Sequence, residues 1–256
     1  MPRLTFLGTG TSNGVPIIGC SCEVCRSEDP RDKRTRSSAF VEWGDRIYLI
    51  DTATELRAQA LRSGLSRVDA VLMTHPHADH TGGFDDLRRF NELVQAWLPV
   101  WADPGTASLL RERYAYTFTE TFPFFGGKPD LILNEIDGPI APFEHEIVPI
   151  TVMHGRLPIT AYRFGSLAYV TDAKTIPAES MDQLRGVDTL VLNSLRSAPH
   201  PTHLSIEEAL AVIAELQPRQ AFLTHLSHEV SHDRESRSLP EGVTIAHDGL
   251  VVESPG

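Results

Sequence analysis

Three histidines and one aspartate lie within six consecutive positions of this chain, at His75, His77, Asp79 and His80. Core packing does not need so many imidazoles, whereas imidazole nitrogens and carboxylate oxygens are common ligands of divalent metal ions. Side chains two positions apart on extended backbone point the same way, so His75 and His77 are expected to face one ion. Asp79 and His80 follow where the chain turns and are expected to face a second ion. A histidine-rich surface loop is the alternative.

The residues around this cluster place it at the end of a strand. The apolar run Asp69–Thr74 precedes it, and Thr81-Gly82-Gly83 follows it as the start of a loop. Functional groups at the end of a buried strand are held on a rigid support. The sequence therefore predicts a metal site at this strand end.

The pattern His-x-His-x-Asp-His after a strand resembles the signature of the metallo-β-lactamase superfamily. Members complete their site with a distant histidine, a bridging aspartate and a late histidine, each at a strand end. His154, Asp172 and His225 follow apolar runs in that order. The resemblance implies a first ion bound by His75, His77 and His154, a second bound by Asp79, His80 and His225, and Asp172 as the bridge.

Two such ions lower the pKa of a shared water towards neutrality, and the resulting hydroxide attacks phosphorus or a carbonyl carbon without a protein nucleophile. The implied cofactors are two divalent ions, zinc or manganese, with iron as a third option. Asp79 is therefore counted as catalytic as well as a ligand. Asp51, after the run Arg46–Ile50, matches the acidic residue that the superfamily places behind the ligands and is expected to orient an imidazole or the water. A turn-forming aspartate is the alternative.

The three cysteines form a second candidate metal site. Cys20, Cys22 and Cys25 have the spacing Cys-x-Cys-x-x-Cys and lack one ligand for a tetrahedral zinc. His228, three residues after His225, is the candidate fourth ligand, so a structural zinc is predicted. Three reduced thiols in a loop are the alternative.

This knuckle narrows the resemblance to one branch of the superfamily. Together with Leu7–Ser12 and Thr-His-x-x-His near the C-terminus, it is similar to the branch that contains the phosphodiesterase of the carbon–phosphorus lyase pathway, which opens phosphoribosyl 1,2-cyclic phosphate. The resemblance implies a metal-dependent phosphodiesterase and a small or cyclic phosphodiester substrate. Other hydrolases on the same fold are the alternatives: a nuclease for transfer RNA precursors, a thioesterase or a lactonase. A non-catalytic metal-binding module is a third class.

In that branch a histidine outside the metal shell is proposed to protonate the leaving oxygen, and it matches His203. Imidazole titrates near working pH, which suits a general acid. The competing interpretation is a polar residue before a helix, because Ser205 and Glu208 form a capping box. His200 is the fallback. His145, His232 and His247 lie among charged or turn residues and are expected to be solvated.

Composition limits the remaining classes. The 256 residues, 41% of them hydrophobic, can bury a core as one domain spanning 1–256. A net charge of −11 argues against general nucleic-acid binding, which needs clustered lysine and arginine. The sequence has neither the apolar core of a signal peptide nor a membrane-spanning run, so a cytoplasmic protein is expected.

Periodicity alone predicts a mixed α/β domain, and the resemblance implies an αββα four-layer sandwich of two mixed β-sheets flanked by helices. Expected strands lie at 4–7, 39–43, 46–50, 70–74, 100–102, 147–153, 161–164, 167–171, 189–193 and 221–224, with helices near 55–63, 84–97, 106–114, 177–184 and 206–216. The aromatic segment 117–127 has four interpretations: a substrate lid, a surface that stacks a base or sugar, a homodimer interface, or core packing.

Overall fold

A computed structural model of the chain describes residues 1–119 and 127–254. The strands of the first sheet are β1 (Arg3–Gly8), β2 (Ser38–Trp43), β3 (Arg46–Ile50), β4 (Ala70–Leu72), β5 (Leu98–Ala102), β6 (Leu131–Glu135) and β13 (Val251–Glu253). Their spatial order is β13-β1-β2-β3-β4-β5-β6. The strands from β3 to β6 run parallel, and the remaining pairs are antiparallel.

The second sheet is also mixed. Its strands are β7 (Val148–His154), β8 (Leu157–Phe164), β9 (Leu167–Val170), β10 (Thr189–Asn193), β11 (Gln220–Thr224) and β12 (Val243–Ile245). The order is β12-β11-β10-β9-β8-β7, with parallel pairing from β9 to β12. The carboxyl ends of parallel strands share one edge of a sheet, which is where ligands bind in open α/β sheets.

The α-helices of the described residues are α1 (Glu23–Arg26), α2 (Leu56–Ser63), α3 (Ala78–Thr81), α4 (Leu87–Val94), α5 (Pro104–Arg113), α6 (Ala178–Leu184), α7 (Ile206–Leu216) and α8 (His232–Ser236). Helices α2, α4, α5, α6 and α7 cover the outer faces of the two sheets. One apolar cluster packs α2, α4 and α5 on the first sheet, another packs α6 and α7 on the second, and a third lies between the sheets. These three cores between four layers confirm the predicted sandwich.

Several element ends differ from the prediction. The expected helix 84–97 begins as a 3₁₀ turn, Phe84–Asp86, and its α-helical part ends at Val94 because Gln95 takes a left-handed conformation. The strand expected at 70–74 ends at Leu72. Three strands, β6, β12 and β13, were not predicted; each lies at a sheet edge and is partly exposed, so its sequence lacks the apolar run of a buried strand.

Most of the aromatic segment 117–127 lies outside the described residues, so its four interpretations are not distinguished. Over residues 1–119 and 127–254, every helix falls short of the length and apolar character needed to cross a bilayer.

Candidate metal centre

Three residues at strand ends adopt the left-handed backbone conformation. Within residues 1–119 and 127–254, five non-glycine residues have positive φ, and Gln95 and Gln217 among them simply end helices. The others are Asp51, Asp172 and His225, which follow β3, β9 and β11 with φ of 59°, 58° and 57°. Such conformations cost free energy in non-glycine residues and collect at functional sites. Their concentration at one place marks this edge of the two sheets as the functional centre.

The structure brings the predicted carboxylates and the later histidines together. His225 Nε2 lies 3.0 Å from an Asp172 oxygen and 3.8 Å from an Asp79 oxygen. His80 Nε2 lies 3.3 Å from oxygens of both aspartates. All four side chains are largely buried, so these polar groups face one another rather than solvent.

The remaining three predicted ligands border the same cluster. His75 Nε2 is 3.0 Å from His77 Nδ1, and the His154 ring centroid lies 5.7 Å from that of His75 and 5.2 Å from that of His77. His154 Nδ1 is 2.8 Å from the carbonyl oxygens of Asp172 and Thr202. Because a carbonyl only accepts, His154 carries its proton on Nδ1 and leaves the Nε2 lone pair for a metal ion.

The donor set fits a pair of divalent ions. Three triads of ligand atoms each lie within 4.8 Å, and two of them share Asp172, as a bridging ligand would. His80 Nε2 and His225 Nε2 are buried without a hydrogen bond in the described part of the chain. The first triad is His75, His80 and Asp172, the second is Asp79, His80 and His225, and the third is His154, Asp172 and His203. These triads differ from the two ligand sets that the resemblance implies, so the assignment of ligands to each ion stays a prediction.

Charges within the cluster show how strongly it favours cations. Burial raises the pKa of Asp172, but the charges of His225 and His80 outweigh burial and hold it well below its usual range. Burial likewise tends to raise the pKa of Asp79, but the neighbouring imidazoles of His225 and His80 outweigh burial and hold this pKa below its usual range. Burial lowers the pKa of His225, yet Asp172 raises it to about 9. Protonated imidazoles thus stabilise buried carboxylates here, a role that divalent cations would take over.

Asp51 lies directly behind the ligands. Its side chain is completely buried and accepts a hydrogen bond from His80 Nδ1 at 2.7 Å. It also accepts bonds from the backbone N–H and the hydroxyl of Thr74, both at 2.7 Å. A carboxylate on the far nitrogen of a ligating imidazole orients the ring, which is the role predicted for Asp51.

His203 belongs to the cluster although it lies on a loop before α7. It is 9% exposed, its ring stacks on that of His225 at 4.8 Å, and its Nδ1 lies 3.7 Å from Asp172. Burial and the charge of His225 lower the pKa of His203 to about 3, against the opposing effect of Asp172. Ser205 and Glu208 form the capping box that begins α7. The capping role therefore belongs to these two residues and leaves the side chain of His203 free for a role in the cluster.

Comparison with known proteins identifies the family. The sequence profile of the β-lactamase superfamily domain matches residues 46–226, more than two thirds of the chain. A crystal structure of a diphosphatase from the PhnP family superimposes with a TM-score of 0.92 at 39% identity, covering 100% of this chain and 98% of that one. This chain belongs to the β-lactamase superfamily and to its PhnP family.

Two further relatives broaden the comparison. A protein of Porphyromonas gingivalis named octanoyltransferase is 41% identical over 99% of this chain but over only 52% of its own length. The chain thus spans about half of that relative. A ribonuclease Z of Mycolicibacterium paratuberculosis is 26% identical over 88% of this chain and 86% of that protein. This PhnP-family chain is a metal-dependent hydrolase, and its fold implies divalent metal ions.

The cysteine knuckle of this PhnP-family chain assembles as its spacing suggested. The sulfurs of Cys20, Cys22 and Cys25 lie 3.3, 3.4 and 3.8 Å from His228 Nδ1. The backbone N–H of Cys25 bonds to Cys22 Sγ and is the main cause that lowers the pKa of that thiol to about 6. Four ligand atoms within one small volume, one of them tending to thiolate, suit a tetrahedral zinc.

The structure contradicts the prediction that His232 is solvated, and it places His145 against an aromatic ring. His232 is 5% exposed rather than solvated, because its ring packs beside His247 and its backbone N–H bonds to buried Asp32. The polar and charged residues that surround His232 in the sequence gave no signal for this burial. His145 stacks on Trp43 at a centroid distance of 4.2 Å, away from the cluster.

Proposed function

We propose that this chain hydrolyses a small or cyclic phosphodiester at a dinuclear metal centre. The observation that carries the proposal is the convergence of six candidate ligands, from separate strand ends, on one cluster of ligand atoms, with His77 beside His75 at its exposed edge; the six are His75, Asp79, His80, His154, Asp172 and His225. The similarity to a PhnP-family structure described as a diphosphatase supports phosphorus chemistry.

Two divalent ions held by these residues would supply an activated water and would stabilise negative charge on the phosphoryl oxygens. The nitrogen and oxygen donors suit zinc, manganese or iron. Asp172 belongs to two of the ligand-atom triads and would be shared by the two ions, and Asp51 orients His80 through Nδ1. Burial of His75, His80, Asp172 and His225 keeps bulk water away from these donors, which strengthens their electrostatic contacts.

His203 acts as the general acid in this proposal. Its Nδ1 is buried and faces Asp172, so Nε2 is the atom left to donate a proton to the leaving oxygen. A bound phosphate anion would oppose the effect of burial and favour the protonated imidazole. Its attachment next to a capped helix holds the ring in place.

We further propose that Cys20, Cys22, Cys25 and His228 bind a structural zinc. A tetrahedral zinc with typical bond lengths separates a nitrogen from a sulfur ligand by about 3.5 Å. The observed separations of 3.3 to 3.8 Å bracket that value. The zinc would fasten the segment that carries His225 to the N-terminal loop.

A second candidate is hydrolysis of a diphosphate, favoured by the description of the similar PhnP-family structure. The likeness to ribonuclease Z keeps the nuclease alternative open, although the net charge of −11 disfavours a grip on RNA. Thioesterase and lactonase activities have no such observation in their favour and serve as contrasts in the assay.

The deciding experiment is turnover by purified, metal-quantified protein. The substrates are bis(p-nitrophenyl) phosphate, a cyclic nucleotide panel, a nucleoside diphosphate, a precursor transfer RNA, a thioester and a lactone. We expect phosphodiester cleavage to dominate and to fall at least about 100-fold in Asp79→Ala and Asp172→Ala, because losing a ligand exceeds losing a residue behind it. Dominant turnover of any other substrate would replace the phosphodiesterase assignment.

A further inference from the structure

Thr74 connects Asp51 to a second ligand besides His80. The three side chains of Asp51, Thr74 and His75 are completely buried. Thr74 Oγ1 lies 2.7 Å from Asp51 Oδ2 and 2.9 Å from His75 Nδ1. The backbone N–H of Thr74 separately bonds to Asp51 Oδ1 at 2.7 Å. Asp51 therefore reaches His80 directly and His75 through one hydroxyl.

The hydrogen positions follow from what each group can donate. Asp51 accepts from the backbone N–H of Thr74 and from His80 Nδ1, and the Thr74 hydroxyl donates its single hydrogen to Asp51 Oδ2. The hydroxyl oxygen can then only accept from His75, which must carry its proton on Nδ1. The other nitrogen of His75, Nε2, keeps a lone pair and points toward His77, 3.0 Å away at the cluster.

We propose that Thr74 is a positioning residue that links Asp51 to His75 by hydrogen bonds and thereby selects the tautomer in which His75 Nε2 can bind a metal ion. This inference rests on the metal centre of the proposed function. One aspartate thereby orients two ligands, His80 directly and His75 through Thr74, and these belong to different ions in the predicted division. The relay acts only through His75 and makes no contact with substrate.

Replacing the hydroxyl isolates this role. In Thr74→Val the shape and the backbone bond to Asp51 remain, while His75 Nδ1 loses its partner and both tautomers become accessible. Partners behind metal-binding histidines typically contribute 10- to 100-fold to metal affinity, so we expect Mn²⁺ binding to weaken by about 10- to 100-fold. Thr74→Ser keeps the hydroxyl and should restore affinity to within about threefold of the original protein.

Thr224 provides a matched control. It also directly precedes a candidate ligand, His225, and is completely buried, but its hydroxyl makes no hydrogen bond within the described residues. Thr224→Val should therefore leave Mn²⁺ affinity unchanged. Mn²⁺ is the probe because thiolates of the knuckle bind it poorly, and electron paramagnetic resonance reports its free concentration.

The tautomer is measured independently of metal and turnover. Long-range ¹H–¹⁵N spectra of metal-free protein should show His75 with its proton on Nδ1, and in Thr74→Val this signal should be lost or mixed. A proton on Nε2 in the unaltered protein overturns the relay even if no variant folds. Equal defects in Thr74→Val and Thr74→Ser, or tight Mn²⁺ binding by Thr74→Val, also overturn it.

These readouts separate the relay from the proposed function. If the unaltered protein binds Mn²⁺ but cleaves no phosphodiester, the proposed function is wrong. The Mn²⁺ affinities of the Thr74 variants still test the role of Thr74 in that case. If it binds no divalent ion, the metal centre itself fails, and the relay fails with it whatever tautomer His75 shows.

Discussion

Replacing Asp248 by alanine should weaken metal binding at a centre that Asp248 does not touch. This side chain is 5% exposed. One of its oxygens accepts the backbone N–H and the hydroxyl of Thr9, each at 2.9 Å. The other accepts the backbone N–H and the hydroxyl of Thr35, at 2.9 and 2.6 Å, and pairs with Arg62 at 3.1 Å.

The effect reaches the metal centre through backbone pairing. Leu226 donates its N–H to Thr9 at 2.8 Å and accepts from Thr11 at 3.1 Å. Leu226 directly follows His225, whose left-handed backbone depends on support from its neighbours. Releasing Thr9 therefore loosens the segment that positions the His225 imidazole.

The structure sets the expected magnitudes. Asp248→Ala leaves two part-buried backbone N–H groups, of Thr9 and Thr35, without acceptors, at about 1–3 kcal/mol each, so the free energy of unfolding should fall by about 2–6 kcal/mol. The pair with half-exposed Arg62 adds little because solvent screens it. Mn²⁺ affinity should fall by about 10-fold or more, as for other groups behind ligands. Urea unfolding and Mn²⁺ titration measure the two quantities.

Asp69→Ala is the control that separates stability from positioning. Asp69 accepts the backbone N–H of Ile47 at 2.8 Å and pairs with Arg67, but it precedes β4 whereas His75 follows that strand. The substitution Asp69→Ala should lower the free energy of unfolding by about 1–3 kcal/mol, because the backbone N–H of Ile47 loses its acceptor, and should leave Mn²⁺ affinity unchanged. Equal Mn²⁺ affinity in the two variants would refute the reasoning.

Three further outcomes are expected. Cys22→Ser should remove one chelator-resistant zinc per chain and leave the catalytic pair; an unchanged zinc count would eliminate the knuckle site. His203→Asn should slow substrates with poor leaving groups far more than p-nitrophenyl esters, whose leaving group needs no proton; equal slowing would contradict a general acid. His232→Leu should flatten the loss of stability on acidification. Burial lowers the pKa of His232 to about 4, against about 6.5 when unfolded. Protonation thus favours the unfolded chain, and stability present above pH 6.5 declines by about 2 kcal/mol towards pH 5. If the free energies of unfolding of His232→Leu and of the original protein, measured in urea, fall by the same amount between pH 7 and pH 5, the prediction is wrong.

The sequence by itself located the metal centre because its strongest signal is local. Four candidate ligands within 75–80 indicated a metal site at a strand end, and the resemblance to the superfamily then selected His154, Asp172 and His225 at the ends of later apolar runs. The four-layer fold came from resemblance, since strand periodicity alone does not state which sheets pack together. Core elements such as β10 and α7 matched their predicted bounds because burial gives them an unbroken pattern.

Contacts between distant residues were decided only by the tertiary structure. The left-handed conformations of Asp51, Asp172 and His225 have no composition signal, because non-glycine residues adopt them only when the surrounding fold compensates the strain. The hydroxyl relay at Thr74 depends on two strands placing a carboxylate and a hydroxyl within 2.7 Å. The types of the candidate ligands can be read from the sequence, whereas proton positions and backbone strain depend on groups that come into contact only after folding.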